Sequence, residues 1–265
     1  MIEIMALNRS LLLPVLVLVQ AGLAMGQLPS NVFRRVVMIK AGDSFGTAFT
    51  LDVDGRQYLI TAKHVVATAK DEDTIEIRTA DSWKPMKLKI LRCAEPIDIA
   101  VLVPLSQLTV NFKLDHSSHF FFGQDVYFVG FPYGLATGMK ANGPFPLAFI
   151  KKGIISATQN EGDATVIYVD GHNNPGFSGG PVVYRDLNQN QPNVYNVAAV
   201  ISGFRHDFEP VVRWVEIKPG QKKLVETGDL VRQNTGIVRG YAIRHAVELI
   251  RKNPIGPKVS DTFEP

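Results

Sequence analysis

Three short segments hold residue types that together perform nucleophilic chemistry. His64 ends the run Ile60-Thr-Ala-Lys-His64, Asp98 stands before the apolar run Ile99-Ala-Val-Leu102, and Ser178 lies in Asn174-Pro-Gly-Phe-Ser178-Gly-Gly-Pro181. A serine hydroxyl is a weak nucleophile near neutral pH. A neutral imidazole takes its proton, and a buried carboxylate orients that imidazole. Gly176 permits a backbone conformation that points successive N–H groups into one concavity, so the N–H groups of Gly176 and Ser178 form a candidate oxyanion hole. The chain order His64, Asp98, Ser178 is one of the orders that serve such a triad. Taken singly, the segments have plainer readings. A lone histidine also suits packing or the surface, Asp98 a turn before a strand, and the glycines around Ser178 a tight turn.

The surrounding sequence predicts what must position these groups. From Val36 onward, short β-branched runs alternate with Gly, Pro, Asn and Asp; among them are Val36–Lys40, Ser44–Leu51, Arg56–Thr61, Ile99–Pro104, Asp125–Phe131, Pro181–Tyr184, Val194–Ser202, Val211–Ile217 and Gly236–Tyr241. So many short strands at close spacing predict an all-β sandwich or barrel. Asp54-Gly55 reads as a hairpin turn. Ile243, Ala246, Val247 and Ile250 share one face at helical spacing, which predicts a C-terminal helix over 242–252, stopped by Asn253-Pro254. The segment 134–146 reads as a linker, 186–193 as a hairpin loop, and the charged stretch 218–234 as exposed surface.

Composition narrows the class. Of 265 residues, 46% are apolar and 20% charged, the make-up of a folded globular protein long enough to bury a core. Lys plus Arg number 28 against 25 Asp plus Glu, a net +3 that gives no argument for a nucleic-acid partner. The single cysteine, Cys93, closes no internal disulfide and forms no CxxC zinc motif; it reads as packing. Residues 1–26 read as an export signal: Arg9, the apolar run 11–19, then Ala24-Met25-Gly26 before Gln27. An uncleaved anchor is the alternative, and the membrane enters only through this segment. Export without disulfides fits a bacterial envelope or secreted protein.

With the motifs in place, the chain resembles the trypsin-like (chymotrypsin-fold) serine peptidases, and within them the HtrA-type bacterial protease domain without a PDZ module. Thr61-Ala-Lys-His64, Asp98-Ile-Ala-Val-Leu and Asn174-Pro-Gly-Phe-Ser178-Gly-Gly-Pro are similar to the family's histidine, aspartate and serine motifs. Val129-Gly-Phe-Pro-Tyr-Gly134, Gly153-Ile-Ile-Ser-Ala157 and Gly240-Tyr-Ala-Ile243 resemble its framework. The resemblance spans about Val36 to Asn253. It implies two packed six-stranded antiparallel β-barrels, about 33–133 and 147–241, with the catalytic residues in the cleft between them and no cofactor. It also implies an endopeptidase acting on polypeptides. Ser202 matches the serine that bonds the buried aspartate, and Ser202, Gly203 and Phe204 match the edge that pairs with substrate backbone. His172 matches a position near the floor of the pocket for the P1 side chain, and Arg239 one on the strand that walls it. An arginine there implies an acidic P1 preference; the bland alternative is a small or apolar P1. Phe177 stands where pancreatic members carry the aspartate that pairs with a new N-terminus, so no zymogen cleavage is expected. Oligomeric state and natural substrate are not legible.

Three rivals remain. Gly176-Phe-Ser178-Gly-Gly180 also satisfies the G-x-S-x-G elbow of esterases, which needs a helix after the serine. A non-catalytic binding protein can be built on the same fold. Asp115, His116 and His119 offer metal-binding types without an evident fourth ligand, and a solvated loop is the simpler expectation.

Overall fold

The computed structural model describes residues 28–109, 114–137, 144–187 and 194–260. The export-signal segment 1–26 and part of the expected linker and hairpin loop therefore lie outside the described residues.

After a one-turn helix, Ser30–Phe33, six strands form the first barrel: β1 (Val36–Ala41), β2 (Ser44–Val53), β3 (Arg56–Thr61), β4 (Glu72–Arg78), β5 (Trp83–Arg92) and β6 (Ala100–Pro104). They close in the order β1-β2-β3-β6-β5-β4. The β2–β3 turn is Asp54-Gly55, both at positive φ (47° and 74°), the backbone that a two-residue hairpin requires.

The second half comprises β7 (Asp115–His116), β8 (Asp125–Gly130), β9 (Phe149–Glu161), β10 (Ala164–Asp170), β11 (Pro181–Arg185), β12 (Tyr195–Lys218) and β13 (Gln221–Ala242). Because β11 pairs with both β8 and β12, the strands β11-β8-β9-β10-β13-β12 also close on themselves. The short β7 joins β12 in parallel, the one departure from an antiparallel pattern among the described residues, and takes Asp115 and His116 out of the expected loop. The sequence also hid the length of the last two strands. The runs Val194–Ser202, from Tyr195 on, and Val211–Ile217 lie on one 24-residue strand, and the charged stretch 218–234 is mostly strand β13, exposed as expected but hydrogen-bonded to β12.

Three apolar clusters explain why these runs fold this way. Val37, Ile39, Leu59, Ile77, Leu88 and Leu102 fill the first barrel. Phe128, Ile155, Ile167, Phe177, Ile201 and Val238 fill the second. The alternate residues of the same strands, Val36, Met38, Phe49 and Tyr58, meet Val129, Val183 and Tyr241 in the seam between the barrels. Strands at the seam are thus buried on both faces, which is why β1 opens on the apolar run Val36–Ile39 and β6 reads as an unbroken one.

The C-terminal helix, Arg244–Lys252, lays Ala246, Val247 and Ile250 on this seam, as its spacing predicts. It also buries His245, whose Nε2 accepts the Thr165 N–H at 2.9 Å.

Candidate active site

The three motif residues arrive at one place from three loops. His64 sits in a 3-10 turn, Lys63–Val66, directly after β3. Val65 and Val66 anchor this turn in the first barrel and leave the imidazole half exposed. Asp98 lies just before β6 and is mostly buried. Its Oδ1 accepts the His64 backbone N–H at 2.9 Å, and its Oδ2 meets His64 Nδ1 at 2.7 Å. Ser202, from the second barrel, donates its hydroxyl to the same Oδ2 at 2.6 Å.

Burial alone would push the Asp98 carboxyl up. The hydrogen bond and charge of His64, the Ser202 hydroxyl and the His64 backbone N–H outweigh it and hold Asp98 below its ordinary value. An ionised carboxylate only accepts, so His64 Nδ1 carries a proton and, in the neutral ring, Nε2 is left with a free lone pair.

Ser178 lies between β10 and β11 on a loop that the first barrel grips. Thr47 of β2, fully buried, donates its N–H to the Ser178 carbonyl at 2.8 Å and its hydroxyl to the Gly176 carbonyl at 2.7 Å. Gly176 is held at φ 100°, and a Cβ there would collide with the Phe131 carbonyl, so no other residue fits this turn. Phe177 is buried inside the second barrel, edge-on to Phe128 at 5.4 Å between ring centroids.

In this arrangement Ser178 Oγ donates to the Ser202 carbonyl at 3.3 Å. The backbone N–H groups of Gly176 and Ser178 have no acceptor among the described residues, although those of Phe177, Gly179 and Gly180 all do. Buried N–H groups are rarely left unpaired. Two alternate donors are thus left open beside a serine hydroxyl. The strand β11 follows Ser178 at Pro181, where an esterase elbow needs a helix.

The loop has a second clamp that sequence reasoning missed. Lys151 of β9 donates to the Asn174 Oδ1 at 2.5 Å and to the His172 carbonyl at 2.6 Å, and lies 5.4 Å from the centre of the Phe177 ring. Burial holds this ammonium below the usual lysine range. Asn174 in turn donates to the Tyr133 hydroxyl at 3.2 Å, and the Pro175 carbonyl accepts the Tyr133 N–H at 2.7 Å. Nothing in the Lys151-Lys152 pair marks the first as different from the second.

The remaining candidates divide. Ser202, Gly203 and Phe204 lie on β12, next to Ser178, and are partly exposed. The His172 side chain is exposed, and only its backbone is tied into the loop. Arg239 shares a face with Tyr241, 5.1 Å from its ring centre, but its guanidinium is engaged by Glu161 at 2.5 Å, so its charge is already matched within the chain. Cys93 is buried, and burial pushes its thiol up to about 11, which makes it no nucleophile near neutral pH. Among the described residues, no cluster of three or more His, Cys, Asp or Glu side chains is placed to hold a metal ion.

Known proteins share this fold. Among solved structures, the HtrA-type protease AlgW with a tripeptide matches with a TM-score of 0.55 at 20% identity, over 84% of this chain and 61% of that one. This chain thus corresponds to about three fifths of the AlgW chain. An inactive serine-to-alanine form of Rv3671c from M. tuberculosis H37Rv matches with a TM-score of 0.51 at 16% identity, over 98% of this chain and all of that one. At such identities the likeness is one of fold. No curated protein matches the chain. The model of the trypsin-like peptidase domain matches residues 46–189, more than half of the chain and a span that holds His64, Asp98 and Ser178. By that match and by its pair of closed barrels, the chain belongs to the trypsin-like peptidase family.

Proposed function

We propose that the protein is an exported serine endopeptidase that cleaves polypeptides through His64, Asp98 and Ser178 by way of an acyl-enzyme. The observation that carries this reading is the meeting of both barrels at Ser202. Its hydroxyl is bonded to the Asp98 carboxylate that orients His64, while its carbonyl holds the Ser178 hydroxyl.

Rotation about the Ser178 Cα–Cβ bond takes Oγ from the Ser202 carbonyl to His64 Nε2, which receives the proton as Oγ attacks the peptide carbonyl. The carbonyl oxygen becomes an oxyanion and is met by the open N–H groups of Gly176 and Ser178, each such donor being worth about 3 kcal/mol in a well-studied protease. Asp98 stays ionised and stabilises the imidazolium. His64 then gives its proton to the leaving amine, and the bond from carbon to nitrogen breaks. Water then attacks the acyl carbon as His64 takes its proton; the bond from that carbon to Ser178 Oγ breaks, His64 returns the proton to Oγ, and the acid product leaves.

The export reading rests on residues 1–26; no helix among the described residues is long and apolar enough to cross a membrane. Chain from Gln27 onward, incubated with casein, is expected to release peptides, and the Ser178→Ala form to release none above a trace. Equal release by both would remove the assignment.

A further inference from the structure

Strands β12 and β13 leave the second barrel together and continue as a two-stranded arm over residues 205–235. Among the described residues, β12 pairs only with β13 beyond Ile201, and on the arm β13 pairs only with β12. Alternation puts Phe208, Val212, Trp214, Leu224 and Leu230 on one face, and the register shift after Pro210 preserves that face. Each of the five is between 46 and 68% exposed. A two-stranded ribbon is marginal in water by itself, and an apolar strip of this kind marks a surface that something covers.

The root of the arm says what. β12 runs as one strand from Ser202, whose carbonyl lies against Ser178 Oγ, out to Lys218, with register shifts against β13 after Phe204, Pro210 and Glu216. The root is fastened to the serine loop, since Asn234 donates to the Asn173 carbonyl at 2.6 Å, and Arg232 lies 5.9 Å from the centre of the Phe204 ring.

We propose that the arm is a docking surface for the polypeptide substrate itself. An extended chain adds to the free edge of β12 from Ser202 outward and lays apolar side chains on the strip that includes Phe208, Val212 and Trp214. This rests on the peptidase reading above and extends it to residues far from the scissile bond. β12 runs away from Ser178, so a chain added antiparallel runs toward it. The segment docked is therefore the one that precedes the scissile bond. From Phe204 to Lys218 the strand reaches about 45 Å, and an added chain pairs on both sides of Pro210, which has no N–H to give on that edge. Residues 205–235 carry six Lys or Arg and five Asp or Glu, so recognition is by backbone and apolar contact. An anionic membrane surface would call for a cationic excess. The Phe208 N–H is capped by the Asp207 carboxylate at 2.8 Å, which a docked chain displaces.

The test uses product-like peptides of four, eight and twelve residues, free of Trp, alternating Val with Ser and ending in a Val carboxylate. They are titrated into Ser178→Ala protein that also carries Trp83→Phe, which leaves Trp214 as its one tryptophan. Calorimetry is expected to show affinity rising at least tenfold from four to twelve residues, with Trp214 emission moving to the blue only for the longer peptides. Adding Phe208→Ser and Leu224→Ser should abolish the length dependence and leave four-residue affinity in place. Three results would overturn the proposal: equal affinity at all lengths, a length effect that survives the two arm substitutions, or a peptide-free protein that sediments as an oligomer with Trp214 already shielded. The last would give the strip to a second copy of the chain. Hydrolysis of a four-residue p-nitroanilide by the wild type, run alongside, reports separately on the peptidase reading.

Discussion

The Ser202 hydroxyl donates to Asp98 Oδ2 at 2.6 Å, a bond that crosses from the second barrel to the first. It is one of the donors that keep a mostly buried carboxylate ionised beside His64. Hydrogen bonds to charged groups contribute about 1.5–3 kcal/mol. Ser202→Ala should therefore lower kcat about tenfold or more with KM little changed, since substrate binds its backbone and not its hydroxyl. The sign of the accompanying pH effect follows from the depressed carboxyl. Asp98 stabilises the fold above its unfolded value of about 3.9, and that stability is lost as pH falls through the lower folded value. Removing one donor raises the folded value, so acid unfolding of Ser202→Ala should set in at higher pH, as denaturation followed by circular dichroism will report.

Lys151 sets the loop that offers the two open N–H groups. Lys151→Met removes both of its bonds, to Asn174 and to the His172 carbonyl, while keeping the apolar stem over Phe177. If loosening the loop misplaces one donor, kcat should fall by up to about a hundredfold. KM for a short peptide should change far less. Lys151→Arg, which keeps a cation in reach of both acceptors, should recover part of the loss. A loss that vanishes once rates are expressed per folded molecule, with a lowered melting temperature and no rescue by arginine, would mean that Lys151 serves stability alone.

His245 gives the fold a pH dependence of its own. Burial, with Arg244 beside it, holds this imidazole below its ordinary value, and its Nε2 must be unprotonated to accept the Thr165 N–H. The unfolded chain therefore binds the proton more readily than the folded one. Stability from this residue is complete above about 6.5 and declines as pH falls below it toward the folded value. His245→Gln offers an acceptor that does not titrate. The difference in melting temperature between wild type and variant should change between pH 7 and 5, in the direction of greater acid loss for the wild type.

Arg239 is matched by Glu161, which removes the reason for an acidic P1 preference. Peptide-library profiling should show a small or apolar P1 residue, the same for wild type and Arg239→Ala. A wild-type preference for Glu or Asp at P1 that vanishes in the variant would restore the arginine to the pocket.

The parts of this site that were legible in the sequence are those carried by contiguous chemistry. His64 and Asp98 each stand beside a run of buried apolar residues, and Ser178 stands among glycines. Their order along the chain supplied the rest. Thr47 and Lys151 were not legible, because a threonine in a strand and one of two adjacent lysines look the same whether they hold a loop or face water. The all-β class followed from the spacing of short apolar runs, and the pair of closed barrels only from the resemblance carried by the motifs. The arm did not: it is exposed on both faces, so no period-two burial marks it, and Pro210, Gly220 and Gly228 read as breaks. Pro210 is tolerated because one edge of β12 is unpaired there.

The most direct measurement is active-site labelling with a serine-reactive fluorophosphonate, followed by mass spectrometry of the digested protein. One adduct is expected, on the peptide that holds Ser178, formed by chain from Gln27 without prior cleavage and lost in both Ser178→Ala and His64→Ala. Absence of an adduct on folded wild-type protein, or labelling of Ser178 that is undiminished in His64→Ala, would contradict it.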